Sequence, residues 1–181
     1  MLLKNNTLFD KNLLKIASIF FKNPSKTFHL RQLALESGLS TTSVSNACNK
    51  LILQKVIKIV KNDITKEFKA DLENEEYFGA KTLFNIFSIR LSGLIDELKK
   101  NLNPKVIVLF GSYVKGEDIE KSDIDLLIIS LRNKDLDLSK YEKVLSRKIQ
   151  LVILENLKKS DENFINSVIN GIVLYGYLEV K

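Results

Sequence analysis

Apolar residues in the amino-terminal third of the chain first recur at helical spacing and then alternate with polar ones. The helical spacing predicts an amphipathic helix over residues 13–21 and a second, shorter helix over residues 30–37. A third helix is predicted from an N-cap at Ser40 to about residue 53. The alternation predicts a β-hairpin over residues 56–70. This part of the chain is therefore expected to fold as three helices followed by a hairpin.

The predicted third helix has one apolar face and one polar face. Its apolar residues recur at spacings of three and four, so we expect them to be buried; they are Val44, Ala47, Cys48 and Leu51. The residues left outside are polar, short-chained and free of acids, which suits contact with phosphates and base edges in a DNA major groove. These candidate DNA-contacting residues are Thr41, Thr42, Ser43, Ser45, Asn46, Asn49 and Lys50.

The hairpin and the distribution of charge also favour DNA binding by this part of the chain. Lys58, Lys61 and Lys66 would place positive charge on the hairpin. Residues 1–70 contain 12 Lys and Arg against 4 Asp and Glu, whereas residues 71–181 contain 16 against 18. A helix, a helix-turn-helix and a hairpin resemble a winged helix-turn-helix domain, which implies binding to double-stranded DNA. The alternative is a winged helix used only for protein contacts or dimerisation.

Residues 71–103 are predicted to form one linking helix. An apolar stripe recurs along it at spacings of four and three and consists of Ala80, Phe84, Phe87, Leu91, Leu94 and Leu98. The stripe covers roughly two and a half heptads, which is short for an independent coiled coil. We therefore expect it to pack on the following domain or to pair with a second copy of the chain in a homodimer.

The remaining residues are predicted to form a small α/β domain. Strands are expected at residues 106–110, 126–129 and 148–154, and helices at residues 139–146 and 160–170. This alternation implies a mixed sheet. The predicted fold class is α+β, with a winged helix-turn-helix domain, a linking helix and a small α/β domain at residues 1–70, 71–103 and 104–181.

Two short motifs in the last of these domains point to chemistry. Gly111-Ser112 follows an apolar strand, and Asp123 and Asp125 come after ten intervening residues. Carboxylates one residue apart on a strand point to the same face, because side chains alternate with a period of two. A Gly-Ser turn at a strand end offers backbone N–H groups and a hydroxyl to an anion. The motifs therefore describe a site in which oxygen ligands hold a hard divalent cation that bridges bound phosphates.

Gly111-Ser112 and Asp123-x-Asp125, at this separation, resemble the signature of the DNA polymerase β nucleotidyltransferase superfamily. The likeness is closest to its minimal nucleotidyltransferase branch. Three runs of the chain are also similar to those of that branch, at residues 109–116, 122–127 and 171–176. The resemblance covers residues 104–181 and does not extend to the first hundred residues.

This resemblance implies roles for individual residues. Asp123 and Asp125 would bind Mg²⁺ and the phosphates of a nucleoside triphosphate. Gly111 and Ser112 would hold the β and γ phosphates, and Lys115 would supply a further positive charge. The implied reaction transfers a nucleoside monophosphate and releases pyrophosphate, with two metal ions holding the attacking and departing oxygens.

One position departs from the family pattern. The pattern asks for a third carboxylate on a later strand, and Gln150 stands there. Glutamine can coordinate a metal through its amide oxygen, but it is neutral and cannot accept a proton. Glu155 could replace the missing acid only if the chain bends it inward. Nucleotide binding is therefore expected to survive this change better than turnover.

Three functional hypotheses remain open at this stage. The first is an active nucleotidyltransferase that transfers AMP from ATP to a protein partner, as in minimal nucleotidyltransferases that adenylylate HEPN-type toxins and act as antitoxins. The winged helix would then allow transcriptional autoregulation. The second is a transcriptional regulator whose nucleotidyltransferase domain binds nucleotide without catalysis. The third is a dimeric DNA-binding protein whose carboxyl-terminal domain is a structural relic.

The composition of the chain indicates the cellular compartment in which the protein is expected. The longest apolar runs hold about five residues, whereas a membrane span needs roughly 20. Met1 leads into Asn and Thr rather than an apolar signal core, so no secretion is expected. Cys48 is the single cysteine and fits a reducing compartment, which favours the cytoplasm. Cys48 and the single histidine, His29, are interpreted as structural residues.

Overall fold

The computed structural model describes residues 10–61 and 66–179. The chain divides into two compact units, residues 1–81 and residues 82–181. Each unit has its own sheet and its own buried core, and each is described separately below.

The described residues of the first unit form three helices, three short strands and the first part of a longer helix. The helices are α1 (Lys11–Lys22), α2 (Leu30–Ser37) and α3 (Thr41–Leu53). The strands are β1 (Thr27–His29), β2 (Ile57–Lys61) and β3 (Lys66–Ala70). They form an antiparallel sheet in the order β1-β3-β2. The predicted helices and hairpin are confirmed as elements, whereas β1 was not predicted.

Local signals in the sequence explain where these helices begin. The Asp10 carboxylate accepts hydrogen bonds from the backbone N–H groups of Asn12 and Leu13 at the start of α1. The Ser40 hydroxyl accepts from the N–H of Ser43 and caps α3, as predicted. Gly38 ends α2 with φ +64°, a conformation that glycine adopts without a Cβ penalty.

The core of the first unit is aromatic and aliphatic. Phe20 and Phe28 meet edge to face, with ring centroids 5.3 Å apart. The predicted apolar face of α3 is confirmed as buried, and it comprises Val44, Ala47, Cys48 and Leu51. Asn62 and Asp63 of the predicted hairpin turn lie outside the described residues, as does the side chain of Lys61.

The segment predicted as one linking helix contains two helices. They are α4 (Glu75–Ser92) and α5 (Leu94–Leu102), and Gly93 separates them with φ +79°. This break corrects the prediction of an uninterrupted helix over residues 71–103. It also divides the apolar stripe, because Leu94 and Leu98 are buried whereas Phe87 and Leu91 are 48% and 71% exposed.

A four-stranded mixed sheet forms the centre of the second unit. Its elements after α5 are β4 (Val106–Phe110), α6 (Ser112–Lys115), β5 (Ile124–Ile129), α7 (Ser139–Leu145), β6 (Ile149–Leu154), α8 (Glu162–Ile169) and β7 (Ile172–Gly176). The strand order is β6-β5-β4-β7. Strands β5 and β6 are parallel and the other pairs are antiparallel, so the predicted mixed sheet is confirmed.

Both faces of this sheet are covered, because alternate residues of the central strands point to opposite sides. On one side Ile107 and Leu126 belong to a core that also includes Leu98 of α5 and Tyr141 of α7. On the other side the core consists of Val106, Val108, Phe110, Leu127, Ile129, Leu157 and Val168. Strands β4 and β5 are therefore buried almost throughout and form a rigid base for the residues that follow or precede them.

Among the helices of the described residues, none combines the length and the apolar composition that crossing a membrane requires.

Candidate functional site

Three strand ends of the second unit meet at one edge of the sheet. Phe110, the last residue of β4, pairs with Asp125 near the start of β5. Asp125 in turn pairs with Gln150 near the start of β6. Because β4 runs opposite to β5 and β6, the turn after β4 lies beside the beginnings of the other two strands. The structure therefore brings the Gly-Ser motif, the Asp-x-Asp motif and Gln150 together.

Gly111 is the closest point between the two predicted motifs. Its backbone has φ +76° and ψ −155°, a region that is essentially restricted to glycine. A Cβ atom at this position would lie 2.3 Å from Oδ2 of Asp125. The Asp125 carboxylate therefore lies directly against the backbone of the Gly-Ser turn, and only glycine leaves it that space.

Asp125 and Gln150 pair across the β5–β6 ladder and point to the same face of the sheet, because neighbours across a ladder share a side. Asp123 immediately precedes β5 and lies close enough to Asp125 for its charge to act on that carboxylate. Asp123 is exposed and Asp125 is half-buried. Burial raises the pKa of Asp125 above its usual range, and the negative charge of Asp123 raises it further. A bound cation would relieve this unfavourable pairing of charges.

Ser112 and Lys115 lie on the single turn of α6 that follows Gly111. Ser112 is half-buried, and no described residue hydrogen-bonds to its hydroxyl. Lys115 is exposed at the end of the same turn, and Gly116 closes the turn with φ +71°. The hydroxyl of Ser112 is thus available to a ligand beside the aspartates. In the part of the chain that the structure describes, the ammonium group of Lys115 forms no ion pair.

The donor set suits a hard divalent cation with incomplete protein ligation. In residues 10–61 and 66–179 no group of three or more His, Cys, Asp or Glu side chains could hold a metal ion. Two carboxylates and the amide oxygen of Gln150 are nevertheless oxygen donors of the kind that Mg²⁺ accepts, with water or phosphate completing the shell. Glu155 does not supply the missing acid, because it follows the far end of β6, about 17 Å away at a rise of roughly 3.3 Å per residue.

A buried polar cluster behind this edge was not predicted from the sequence. The Asp118 carboxylate accepts hydrogen bonds from Asn85 and Arg147, at 2.8 Å and 3.1 Å. The amide of Asn85 also donates to the carbonyl oxygen of Tyr113 at 2.8 Å. These residues are far apart in sequence and follow no periodic pattern. No local signal distinguishes them from exposed polar residues.

The candidate DNA-contacting residues of α3 are largely accessible. Thr41, Thr42, Asn46, Asn49 and Lys50 are exposed, and Ser43 and Ser45 are half-buried. Nevertheless, Lys50 forms an ion pair with Asp10, with Nζ 3.0 Å from Oδ2. A lysine held by a carboxylate contributes less charge to a phosphate backbone than a lysine without such a neighbour.

The lysines of the hairpin differ in the same way. Nζ of Lys58 lies 3.3 Å from a carboxylate oxygen of Asp71 and 2.9 Å from one of Glu73. These neighbours raise the pKa of Lys58, with the hydrogen bond to Glu73 as the largest contribution. Lys66 is exposed, and no ion pair of Lys66 is found in the described part of the chain. Of Lys58 and Lys66, Lys66 is therefore the one whose charge is less engaged within the chain.

Comparison with known proteins agrees with the geometry of the second unit. The family model "Polymerase beta, Nucleotidyltransferase" matches residues 93–179. "Protein adenylyltransferase MntA" of Thermococcus cleftensis is 38% identical over 82 residues, which cover 42% of this chain and 82% of its own length. No solved structure is significantly similar to the chain.

Two proteins of Methanocaldococcus jannaschii are also similar. "Putative protein adenylyltransferase MJ1215" is 39% identical over 61 residues, or 31% of this chain and 71% of its own length. "Putative protein adenylyltransferase MJ1379" is 36% identical over 67 residues, or 33% of this chain and 67% of its own length. Residues 93–179, which the family model matches, contain the Gly-Ser turn, the paired aspartates and the mixed sheet of this chain. The chain therefore belongs to the polymerase β nucleotidyltransferase family.

Proposed function

We propose that this protein transfers a nucleoside monophosphate, and specifically AMP from ATP, to an acceptor protein. The observation that carries the proposal is the contact between Asp125 and Gly111, which joins a carboxylate pair to the Gly-Ser turn. The choice of ATP and of a protein acceptor is supported by the names of the relatives, all of which are called protein adenylyltransferases.

Each residue of the site has a defined part in this proposal. Asp123 and Asp125 would hold a divalent cation, and the amide oxygen of Gln150 would add a neutral donor. When bound, the cation neutralises phosphate charge and polarises the phosphoryl oxygens. The backbone after Gly111 and the hydroxyl of Ser112 would hold the terminal phosphates. Lys115 could reach the same phosphates, because its side chain is exposed beside the turn.

The proposed reaction forms one bond and breaks one. A hydroxyl oxygen of the acceptor bonds to the α-phosphorus, the bond from that phosphorus to the pyrophosphate oxygen breaks, and pyrophosphate leaves. The hydroxyl proton must pass to a base, and Gln150 cannot take it because an amide is not basic. Asp123 and Asp125 would both hold the cation, so neither is a free base, and the proton would pass to water. Turnover should therefore be slow.

The direct test is incubation with [α-³²P]ATP, Mg²⁺ and the protein encoded beside this chain in its genome. We expect label on the acceptor, and none with [γ-³²P]ATP because pyrophosphate leaves. Asp123→Asn should abolish the label while leaving the fold intact. Absence of transfer to any supplied acceptor, together with absence of ATP binding, would overturn the proposal.

The acceptor that we propose is a HEPN-type toxin, and adenylylation would make this chain its antitoxin. The family resemblance at Gly111-Ser112 and Asp123-x-Asp125 is the support for this partner. Co-expression in a host that the toxin kills is the test. The wild-type chain should restore growth, and the Asp123→Asn variant should not. Equal rescue by the wild-type chain and by the Asp123→Asn variant would indicate that the chain neutralises the toxin by binding it, without adenylylation.

A second candidate function is that of a nucleotide-responsive DNA-binding regulator. It is favoured by Gln150, which leaves the site with two acids, and by the polar face of α3 in an antiparallel-hairpin setting typical of a winged helix-turn-helix. ATP should then change the affinity for operator DNA, and DNA should change the affinity for ATP by the same factor. A DNA affinity that ATP leaves unchanged would exclude this regulator.

We also propose a homodimer that pairs through α4. Leu83, Phe87 and Leu91 recur at a spacing of four on one side of this helix and are all exposed. Replacing Phe87 and Leu91 by aspartate should convert a dimer to a monomer in light-scattering measurements. An unchanged mass for the double variant would contradict pairing through Leu83, Phe87 and Leu91.

A further inference from the structure

The polar cluster formed by the side chains of Asn85, Asp118 and Arg147 and the carbonyl of Tyr113 is called the Asp118 cluster here. It is almost fully enclosed, with the side chains of Asp118 and Arg147 exposed by 1% and 4%. Both oxygens of the carboxylate are engaged, one by Asn85 and the other by Arg147. Arg147 donates a further bond to the carbonyl of Ser146 at 2.9 Å.

The cluster connects the three chain segments that carry the candidate site. Tyr113 directly follows Ser112 on α6. Asp118 lies in the loop between α6 and the paired aspartates. Arg147 lies in the turn before β6, three residues ahead of Gln150. The amide of Asn85, on α4, bridges the first two segments by donating to both Tyr113 and Asp118.

Stability alone does not account for such a cluster. Enclosing two opposite charges removes their hydration, and this cost can exceed the attraction between them. Apolar side chains of similar volume often fill such a space with equal or greater stability. A buried ion pair does, however, impose directional bonds, which apolar packing does not. The polar arrangement can therefore fix the separation of the three segments more narrowly than the sheet and apolar packing do alone.

We propose that Asn85, Asp118 and Arg147 are positioning residues that set the separation between the Gly-Ser turn, the paired aspartates and Gln150. This role rests on the proposed nucleotidyl transfer. It predicts that the cluster acts on the alignment of nucleotide and cation rather than on folding. A displacement of about 1 Å between reacting groups is enough to lower a rate roughly a hundredfold.

The test replaces the ion pair by apolar groups in the double variant Asp118→Leu/Arg147→Met, which removes the two opposite charges together. ATP binding is measured by calorimetry, Mn²⁺ binding by electron paramagnetic resonance, and transfer with labelled ATP. We expect a melting temperature near that of the wild type, at least tenfold weaker Mn²⁺ binding in the presence of ATP, and transfer reduced about a hundredfold.

Two further variants separate positioning from stability. Asn85→Leu removes the bridge between Tyr113 and Asp118 but keeps the ion pair, so it tests the proposal even if the double variant fails to fold; transfer should fall at least tenfold. Ser130→Ala removes a buried hydrogen bond of 2.6 Å to the Leu102 carbonyl at the opposite edge of the same sheet. It should lower the melting temperature and leave ATP and Mn²⁺ binding unchanged.

The outcomes distinguish this proposal from the function on which it rests. A wild-type protein that binds neither ATP nor Mn²⁺ would overturn the proposed function itself. A wild-type protein that binds both, with a folded double variant or Asn85→Leu variant that binds and transfers equally well, would overturn the positioning role alone. Weakened binding in Ser130→Ala to the same extent would show that these effects follow general stability, and it would also overturn the positioning role.

Discussion

The Asp125 carboxylate occupies the space that a side chain at Gly111 would need, since a Cβ there would lie 2.3 Å from Oδ2. This contact joins two motifs that lie on neighbouring antiparallel strands, with Phe110 and Asp125 in register. The absence of a side chain at Gly111 therefore does two things. It permits a positive φ, and it lets an acid approach the turn that would hold phosphates.

Replacing Gly111 by alanine should abolish nucleotide binding. The added Cβ must displace Asp125, and the glycine-only backbone conformation adds a strain of about 1–3 kcal/mol. Isothermal titration with a non-hydrolysable ATP analogue measures the effect. Gly93→Ala is the control, because Gly93 also has a positive φ of 79° but has open space around its Cβ position. It should lower stability without weakening ATP binding; equal binding losses in both variants would contradict the steric explanation.

Changing Gln150 to aspartate should increase the rate of nucleotidyl transfer. Gln150 pairs with Asp125 across the β5–β6 ladder, so the new acid lies beside Asp125 on the same face. Without a divalent cation the third negative charge should lower the melting temperature at pH 7, because like charges in proximity repel. Saturating Mn²⁺ should restore it. Glu155→Gln is the matched control and should change neither quantity, because that residue lies beyond the far end of β6.

Replacing Asp10 by asparagine should strengthen DNA binding. Asparagine caps a helix as well as aspartate does, but it would release Lys50 from its 3.0 Å ion pair. One additional lysine on the backbone should increase the slope of log affinity against log salt by about 0.9. The measurement is fluorescence anisotropy with duplex DNA between about 50 mM and about 200 mM salt. An affinity and slope equal to the wild type would show that Lys50 does not face DNA.

The same ion pair predicts a pH dependence of stability. The hydrogen bond from Lys50 lowers the pKa of Asp10 below its ordinary value of 3.8, followed by the bond from the Leu13 N–H. A carboxyl whose pKa is lower in the folded state stabilises the fold above its unfolded pKa and loses that effect as the pH falls through the folded pKa. Acid titration below pH 3.8 should therefore destabilise the wild type more than Asp10→Asn. Parallel acid curves would refute this.

The thiol of Cys48 should be unreactive in the native protein. Burial raises its pKa to about 11, so that at pH 8 only about one thiol in a thousand is a thiolate. Because the chain has a single cysteine, Ellman's reagent reports on the first unit alone. The native protein should react at least about a hundred times more slowly than the urea-unfolded protein. Rapid reaction of the native protein would mean that α3 leaves this core readily.

Much of the fold was predictable because the spacing of apolar residues and the capping residues act within a few positions of the chain. The spacing of Val44 and Leu51 identified the buried face of α3, and Ser40 identified its first residue. The break at Gly93 was not predicted, since a continuous apolar stripe favoured one helix. Strand β1 was missed because it has only three residues and exists through its pairing with β3.

Residue type and short spacing were enough to predict most helices and strands, the chemistry of the Gly-Ser and Asp-x-Asp motifs, and the lack of an acid at position 150. Both set the faces of helices and strands locally. Which of these groups meet depends on the tertiary fold. The strand order places Gln150 beside Asp125, and the folding of the loops brings Asp118 and Arg147 together as a buried ion pair. Such contacts depend on long-range packing, and no periodicity along the chain encodes them.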